Sequence, residues 1–173
     1  KYQIIGAALL LLGLAGWMSE DAHDAVKTWD GSGNMSTAAN WSDNTLPASG
    51  DTIRFDGTST SNATWDTTFA SSYSNLVVQV ATGYSGIITL GANATIASST
   101  IAAGTFNIAT YTLTANGIMT VGGGTVTTTY NGGTAVFNDD LVLNSGNFTP
   151  AITTSVNGDW MINGGTLTFD DAH

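Results

Sequence analysis

Three windows of this chain repeat one design. Residues 116–126 (NGIMTVGGGTV), 138–148 (NDDLVLNSGNF) and 157–167 (NGDWMINGGTL) each read as a polar turn, a short apolar strand, a glycine corner and a second short strand. The second window follows the first by 22 residues and the third follows by 19. Looser copies lie at 85–91 (SGIITLG) and 100–106 (TIAAGTF). A unit this short cannot bury an apolar face alone, so successive copies must stack. Glycine at each corner accepts the positive φ of a sharp turn. Alternation along each strand then sends every second side chain inward. The expected fold is mainly β: a β-solenoid, right-handed β-helix-like, behind an N-terminal apolar α-helix. A β-sandwich or jelly roll built from the same short strands is the alternative, which the drift in spacing leaves open. The pattern points Ile88, Leu90, Ile96, Ile101, Phe106, Ile108, Leu113, Ile118, Val121, Val126, Val136, Leu141, Leu143, Phe148, Ile152, Val156, Trp160, Ile162 and Leu167 inward. The outermost strand is an exposed edge unless another subunit covers it.

Charge narrows the partners. Lys1, Lys27 and Arg54 are the only strong cations against thirteen acidic residues, giving a net charge of −10. No basic patch is available for phosphate, which argues against nucleic acid and anionic headgroups. Charged residues are only 9% while apolar residues reach 42%, a balance suited to a folded core with Thr-, Ser- and Asn-rich outer faces. There is no cysteine, so disulfides and thiolate metal sites are excluded.

Residues 28–57 hold the most specific signal: Thr28-Trp29-Asp30-Gly31, then Asn40-Trp41, Pro47, and Gly50-Asp51-Thr52-Ile53-Arg54-Phe55-Asp56. This resembles the W-x-G … N-W … P … G-D-x-(I/V)-x-F stretch that opens β-solenoid domains of secreted bacterial surface proteins, autotransporter-like repeat proteins among them. The resemblance implies the start of a coil and a place at the cell surface. The residues themselves suggest a capping motif of Trp29, Trp41, Asp51 and Phe55. The two indoles cover the first rung's apolar end, and Gly50-Asp51 turns the chain into a strand over 52–55. The β domain is therefore expected over 28–173, with its repeats at 84–169.

Residues 1–27 read as a separate apolar helix for assembly or anchoring. The run over 4–18 (IIGAALLLLGLAGWM) is too short to cross a bilayer straight, which takes about 20 residues. Helical continuation to Lys27 places Met18, Ala22 and Ala25 or Val26 on one face. Gly6, Gly13 and Gly16 leave notches where helices approach closely. The stretch Tyr2 to Leu12 resembles the N-terminus of type IV pilin-like subunits, with Ile5 where bacterial pilins usually carry glutamate. That resemblance implies a segment retained after leader processing and packed in a filament core, with Ile4, Ile5, Leu9, Leu10, Leu11, Leu12, Leu14 and Trp17 as assembly residues. An ordinary secretory signal cut after Ala15 or Ala25, or a strand donated to a neighbouring sheet edge, reads equally from the same residues.

Chemistry-bearing side chains are sparse. Arg54 is the only arginine, and Asp139-Asp140 and Asp170-Asp171 are adjacent pairs that point to opposite faces of a strand. No enzyme and no cofactor are expected. Asn138, Asp139 and Asp159 fall at matching turn positions and are the candidate calcium ligands. His23 and His173 stand alone, and Trp65, Tyr73, Tyr84, Tyr111 and Tyr130 are candidates for a carbohydrate-binding strip. Sequons at Asn34, Asn40, Asn62, Asn93 and Asn147 are possible glycosylation sites. The expected function is that of a structural subunit of an extracellular filament, polymerising through the N-terminal apolar segment. Its partners would be copies of itself and glycans or other cell surfaces, with a membrane only before assembly. A β-helical adhesin or surface-layer module with a cleaved signal peptide is the alternative.

Overall fold

The computed structural model describes residues 25–128 and 132–169. Every paired strand among them runs parallel to its neighbours. Parallel neighbours separated by about one repeat are the signature of a solenoid and exclude the sandwich, whose strands pair antiparallel. The residues 1–24, with the assembly candidates Ile4, Ile5, Leu9, Leu10, Leu11, Leu12, Leu14 and Trp17, lie outside the described residues. So do His23, Tyr130, Asp170, Asp171 and His173.

The coils build three walls. The first stacks Val26–Thr28, Thr52–Phe55, Leu76–Val80, the second half of Ala94–Ile101, the starts of Met119–Thr127 and Leu141–Phe148, and finally Trp160–Ile162. The second stacks Gly33–Asn34, Ala63–Trp65, Ile87–Leu90, Thr105–Asn107, the ends of the two long strands, and Thr166–Leu167. The third stacks the first half of Ala94–Ile101, Thr112–Ala115, Thr134–Phe137 and Thr153–Val156. The 22- and 19-residue spacings of the sequence windows are the wall register itself, Met119 opposite Leu141 and Leu141 opposite Trp160.

Stacking turns the alternation of each strand into columns. Phe55, Val80, Ile101, Val121, Leu143 and Ile162 form one inward column of the first wall. Ala63, Ile88, Phe106, Val126, Phe148 and Leu167 form the column of the second. Each fully buried Val, Leu, Ile or Phe in the columns contributes about 1.5–3 kcal/mol by leaving water, and Phe55 through Leu143 are all buried. Between walls one and two the chain bends at Gly146 and Gly165, with φ of 82° and 83°. A Cβ on Gly165 would stand 2.7 Å from the carbonyl oxygen of Gly146, so the coils pack backbone on backbone at this corner.

Several expectations need correction. Val26–Thr28 is a strand, so no helix runs through to Lys27. In Thr134–Phe137 the inward residues are Ala135 and Phe137, and Val136 faces out. Ile118 and Ile152 sit at corners and are 44% and 65% exposed. Trp160 and Ile162 do occupy the inward columns, but no described coil covers them, and they are 38% and 52% exposed. Residues 58–83, which carry no clear repeat, belong to the solenoid as well. There the six-residue helix Thr67–Ser72 replaces a third-wall strand.

Candidate functional site

The described residues offer two places where the regular stacking stops, and the chain treats them differently. At the first coil the loop after Gly33–Asn34 folds back over the end of the core. Its short 3-10 turn at Ala38–Asn40 leads into Trp41, which is fully buried and meets Trp29 edge-on at 5.4 Å. Trp29 also packs on Phe55 at 5.9 Å, and Trp41 stacks on Phe69 at 6.0 Å. Both indole N–H groups find acceptors: Trp41 Nε1 donates to the Met35 carbonyl at 2.8 Å and Trp29 Nε1 to that of Ser61 at 3.3 Å. Aromatic pairs of this kind add about 0.5–1.5 kcal/mol each beyond burial.

Carboxylates pin this seal from outside. Asp51, buried with 3% exposure, accepts the backbone N–H of Ala25 at 3.0 Å and that of Ala48 at 2.7 Å, joining the first strand to the turn before the second. Asp66 caps the Thr67–Ser72 helix through Thr68 and Phe69, and its other oxygen accepts from Ser36 in the covering loop at 3.0 Å. Burial pushes the Asp66 pKa up, but the hydrogen bonds from Ser36 and Phe69 outweigh it and hold the carboxyl below its ordinary value. The Lys27 ammonium, bonded to Asp43 and Thr45, helps pull the Asp43 carboxyl down to about 2. Asp56 is lowered chiefly by the backbone N–H of Thr58, with Arg54 adding an ion pair at 3.0 Å. Tyr84, packed on Phe55, donates its hydroxyl to the Ser61 carbonyl at 3.0 Å, and burial pushes its pKa up to about 12.

Among the described residues nothing covers the other end. Trp160–Ile162 and Thr166–Leu167 pair with Leu141–Phe148 on one side and with no described strand on the other. Ile152, Trp160, Met161, Ile162 and Phe169 are the large apolar residues exposed there.

Along the turn that enters the first wall, asparagine amides stack into a ladder. Asn138 Nδ2 donates to Asn116 Oδ1 at 3.1 Å, and Asn157 Nδ2 donates to Asn138 Oδ1 at 3.0 Å. At the next corner Asn163 donates to Asn144 at 2.8 Å. These asparagines stand at matching places in the repeated windows, a signal visible in the sequence but absorbed there into turn composition. Of the calcium candidates, Asn138 is committed to this ladder, Asp139 accepts the N–H of Asp140, and the Asp159 N–H donates to Asp140. Among the described residues no group of three or more acidic, histidine or cysteine side chains converges on a metal position.

The remaining candidates are dispersed. Trp65 and Tyr84 are buried and Tyr73 is half-buried, so among the described members of the aromatic set Tyr111 alone is exposed and they form no strip. Asn34, Asn62, Asn93 and Asn147 are exposed, whereas Asn40 is half-buried and spends its amide on the Ser32 and Asn34 carbonyls. Asn62 and Asn93 use their side-chain oxygens to accept the N–H groups of Ile87 and Thr112 in the next coil. Met35, Asp66 and Phe69 also belong to the seal, beyond the capping motif of Trp29, Trp41, Asp51 and Phe55. Asp66 followed by Thr67 and Thr68 is a helix N-cap pattern that the sequence offered. No protein-family model, curated protein or solved structure matches this chain.

Proposed function

We propose that this chain is a structural subunit of an extracellular filament. The solenoid is the rigid body, and the apolar residues Ile4, Ile5, Leu9, Leu10, Leu11, Leu12, Leu14 and Trp17 join copies. The observation that carries the reading is the asymmetry of the solenoid: one end is closed by a tryptophan cluster, and the last described coil exposes Trp160, Ile162 and Phe169. Large apolar side chains exposed at one end suit a contact site. The full chain is expected to form regular fibres in negative stain. Leu10→Glu and Leu12→Glu are expected to abolish them while the circular dichroism of the β domain stays unchanged. Normal fibres from either variant would overturn the reading.

The outer second wall favours one other reading. Thr105, Thr125, Asn147 and Thr166 form one polar column beside Asn107 and Thr127. A regular hydroxyl and amide face suits glycan contact, as an adhesin would need. A monomeric chain that binds immobilised glycans and forms no fibres would favour it.

A further inference from the structure

We propose that the outer face of the second wall binds ice. The site lies on the side of a single solenoid, so it is separate from the filament contact above and does not depend on it.

The backbone sets out a mesh. Ala63–Trp65, Ile87–Leu90, Thr105–Asn107 and the end of Met119–Thr127 stack like position on like position, with no bulge between them. Alternation therefore puts Thr64, Thr89, Asn107 and Thr127 in one outward column. Thr149 prolongs it, donating its N–H to the Val126 carbonyl at 2.9 Å. Two residues earlier on each strand, Thr105, Thr125 and Asn147 make a second column, headed by the 40% exposed Ile87. Neighbouring coils lie about 4.8 Å apart, and outward positions along one strand about 6.6 Å apart. Water oxygens on the prism face of ice repeat near the same two distances. Backbone hydrogen bonds hold each inner row on both sides, so the mesh is fixed before any contact is made. The amides of Asn116, Asn138 and Asn157 tie successive coils at another corner, and side-chain ladders of this kind keep stacked sheets flat.

The side chains suit water in a lattice. A threonine hydroxyl donates one hydrogen bond and accepts two, much as a lattice water does. Its β-branched side chain is stiff at χ1, so the hydroxyl and methyl keep fixed places on the mesh.

Charge and aromatic content choose among occupants. From Thr67 to Asn138 the chain carries no charged side chain, although its net charge is −10. A charged group would hold its own hydration shell and spoil the match to ice, whereas this face is neutral across its middle rows. Sugars are gripped through aromatic faces, and here the aromatic residues of the same strands, Trp65, Phe106 and Phe148, are all buried in the core. The face therefore favours ice over a glycan.

The test uses the full chain. It is expected to hold a seed crystal of ice from growing below its melting point, to shape it, and to stop polycrystalline ice from coarsening. Thr125→Lys, which puts a strongly hydrated ammonium in the middle of the mesh, is expected to lose most of this activity, as is Thr105→Lys one coil earlier. Thr120→Lys is the matched control: it is half-buried on the same strand but faces out of the first wall, and is expected to keep the activity. Far-ultraviolet circular dichroism should be the same for all three. Leu10→Glu is expected to keep the activity, which separates the face from the filament contact. A full chain that leaves ice growth and coarsening unchanged would overturn the proposal, as would equal losses from Thr125→Lys and Thr120→Lys. Activity lost with Leu10→Glu would overturn it too, by placing the site on a fibre rather than on one wall. So would binding to an immobilised glycan that Thr125→Lys abolishes while ice growth is untouched, which would assign the face to carbohydrate.

Discussion

The first and last described coils carry the same kinds of side chain to different ends. Trp29 and Trp160 both belong to short strands or bridges at the limit of a wall. Trp29 is fully buried beneath a loop with Trp41 stacked on Phe69, whereas Trp160 is 38% exposed and touches Phe148 edge-on at 6.1 Å. The difference lies in what precedes and follows each strand. Between the first two first-wall strands the chain, after Gly33–Asn34, spends residues 35–51 on a covering loop with its own 3-10 turn, held by Asp51 and Asp66. After Trp160 the chain goes straight into another corner and another short strand. A tryptophan at the end of a solenoid becomes a seal only when a loop supplies the groups that hold it and the acceptor for its indole N–H.

The largest effect should come from breaking the seal. Trp41→Ala removes the indole that bridges Trp29 and Phe69, and is expected to cost about 3–5 kcal/mol. Trp160→Ala should cost ~1 kcal/mol, because much of that ring is in water already. Chemical denaturation of both variants measures the contrast, and equal losses would show that the two ends are sealed alike. A smaller effect is expected in the ladder, where Asn138→Ala removes two side-chain hydrogen bonds, one to the coil on each side, and leaves the backbone ladder in place. It should cost about 1 kcal/mol by the same measurement, and an unchanged stability would show that water replaces the amides freely.

The smallest effect is electrostatic and confined to the sealed end. Asp43, Asp56 and Asp66 all titrate below their ordinary value in the folded chain. A lowered carboxyl stabilises the fold above the unfolded value of about 4, and that contribution fades as pH falls through the folded value. Acidification from pH 5 to 2 should therefore loosen the covering loop, which tryptophan fluorescence would report, before far-ultraviolet circular dichroism records loss of strands. Asp43 is exposed and Asp56 and Asp66 are only partly buried, so solvent screening keeps the shift modest and salt should shrink it. Loss of strands and loop together would mean that the seal has no acid sensitivity of its own.

Much of the architecture was legible before any coordinates, for identifiable reasons. The Asn-to-Asn spacing of the three windows is the wall register because parallel strands stack like position on like position, while coils of 22 and 19 residues differ only in their turns. The Thr52–Phe55 strand was readable from Gly50-Asp51 and from the alternation that follows. Residues 58–83 were not readable, since a helix capped by Asp66 stands where a repeat would place a strand. Thr134–Phe137 misled because Ala135 and Val136 are adjacent apolar residues. Only stacking on Leu113 decides that the smaller one goes inward. The exposure of Trp160 and Ile162 follows from what covers a coil, which their own pattern does not encode.

Because each coil touches only the coils on either side, length is a free variable of this architecture. A tandem duplication of residues 119–140 would add a coil whose inward column begins again at Met119 and Val121, and whose turn offers another asparagine to the ladder. A single residue inserted after Met119, in the straight first part of Met119–Thr127, would instead put Val121 on the outer face. Chains of this kind therefore lengthen or shorten in whole coils, so a family built on it would differ in gene length by steps of about one repeat.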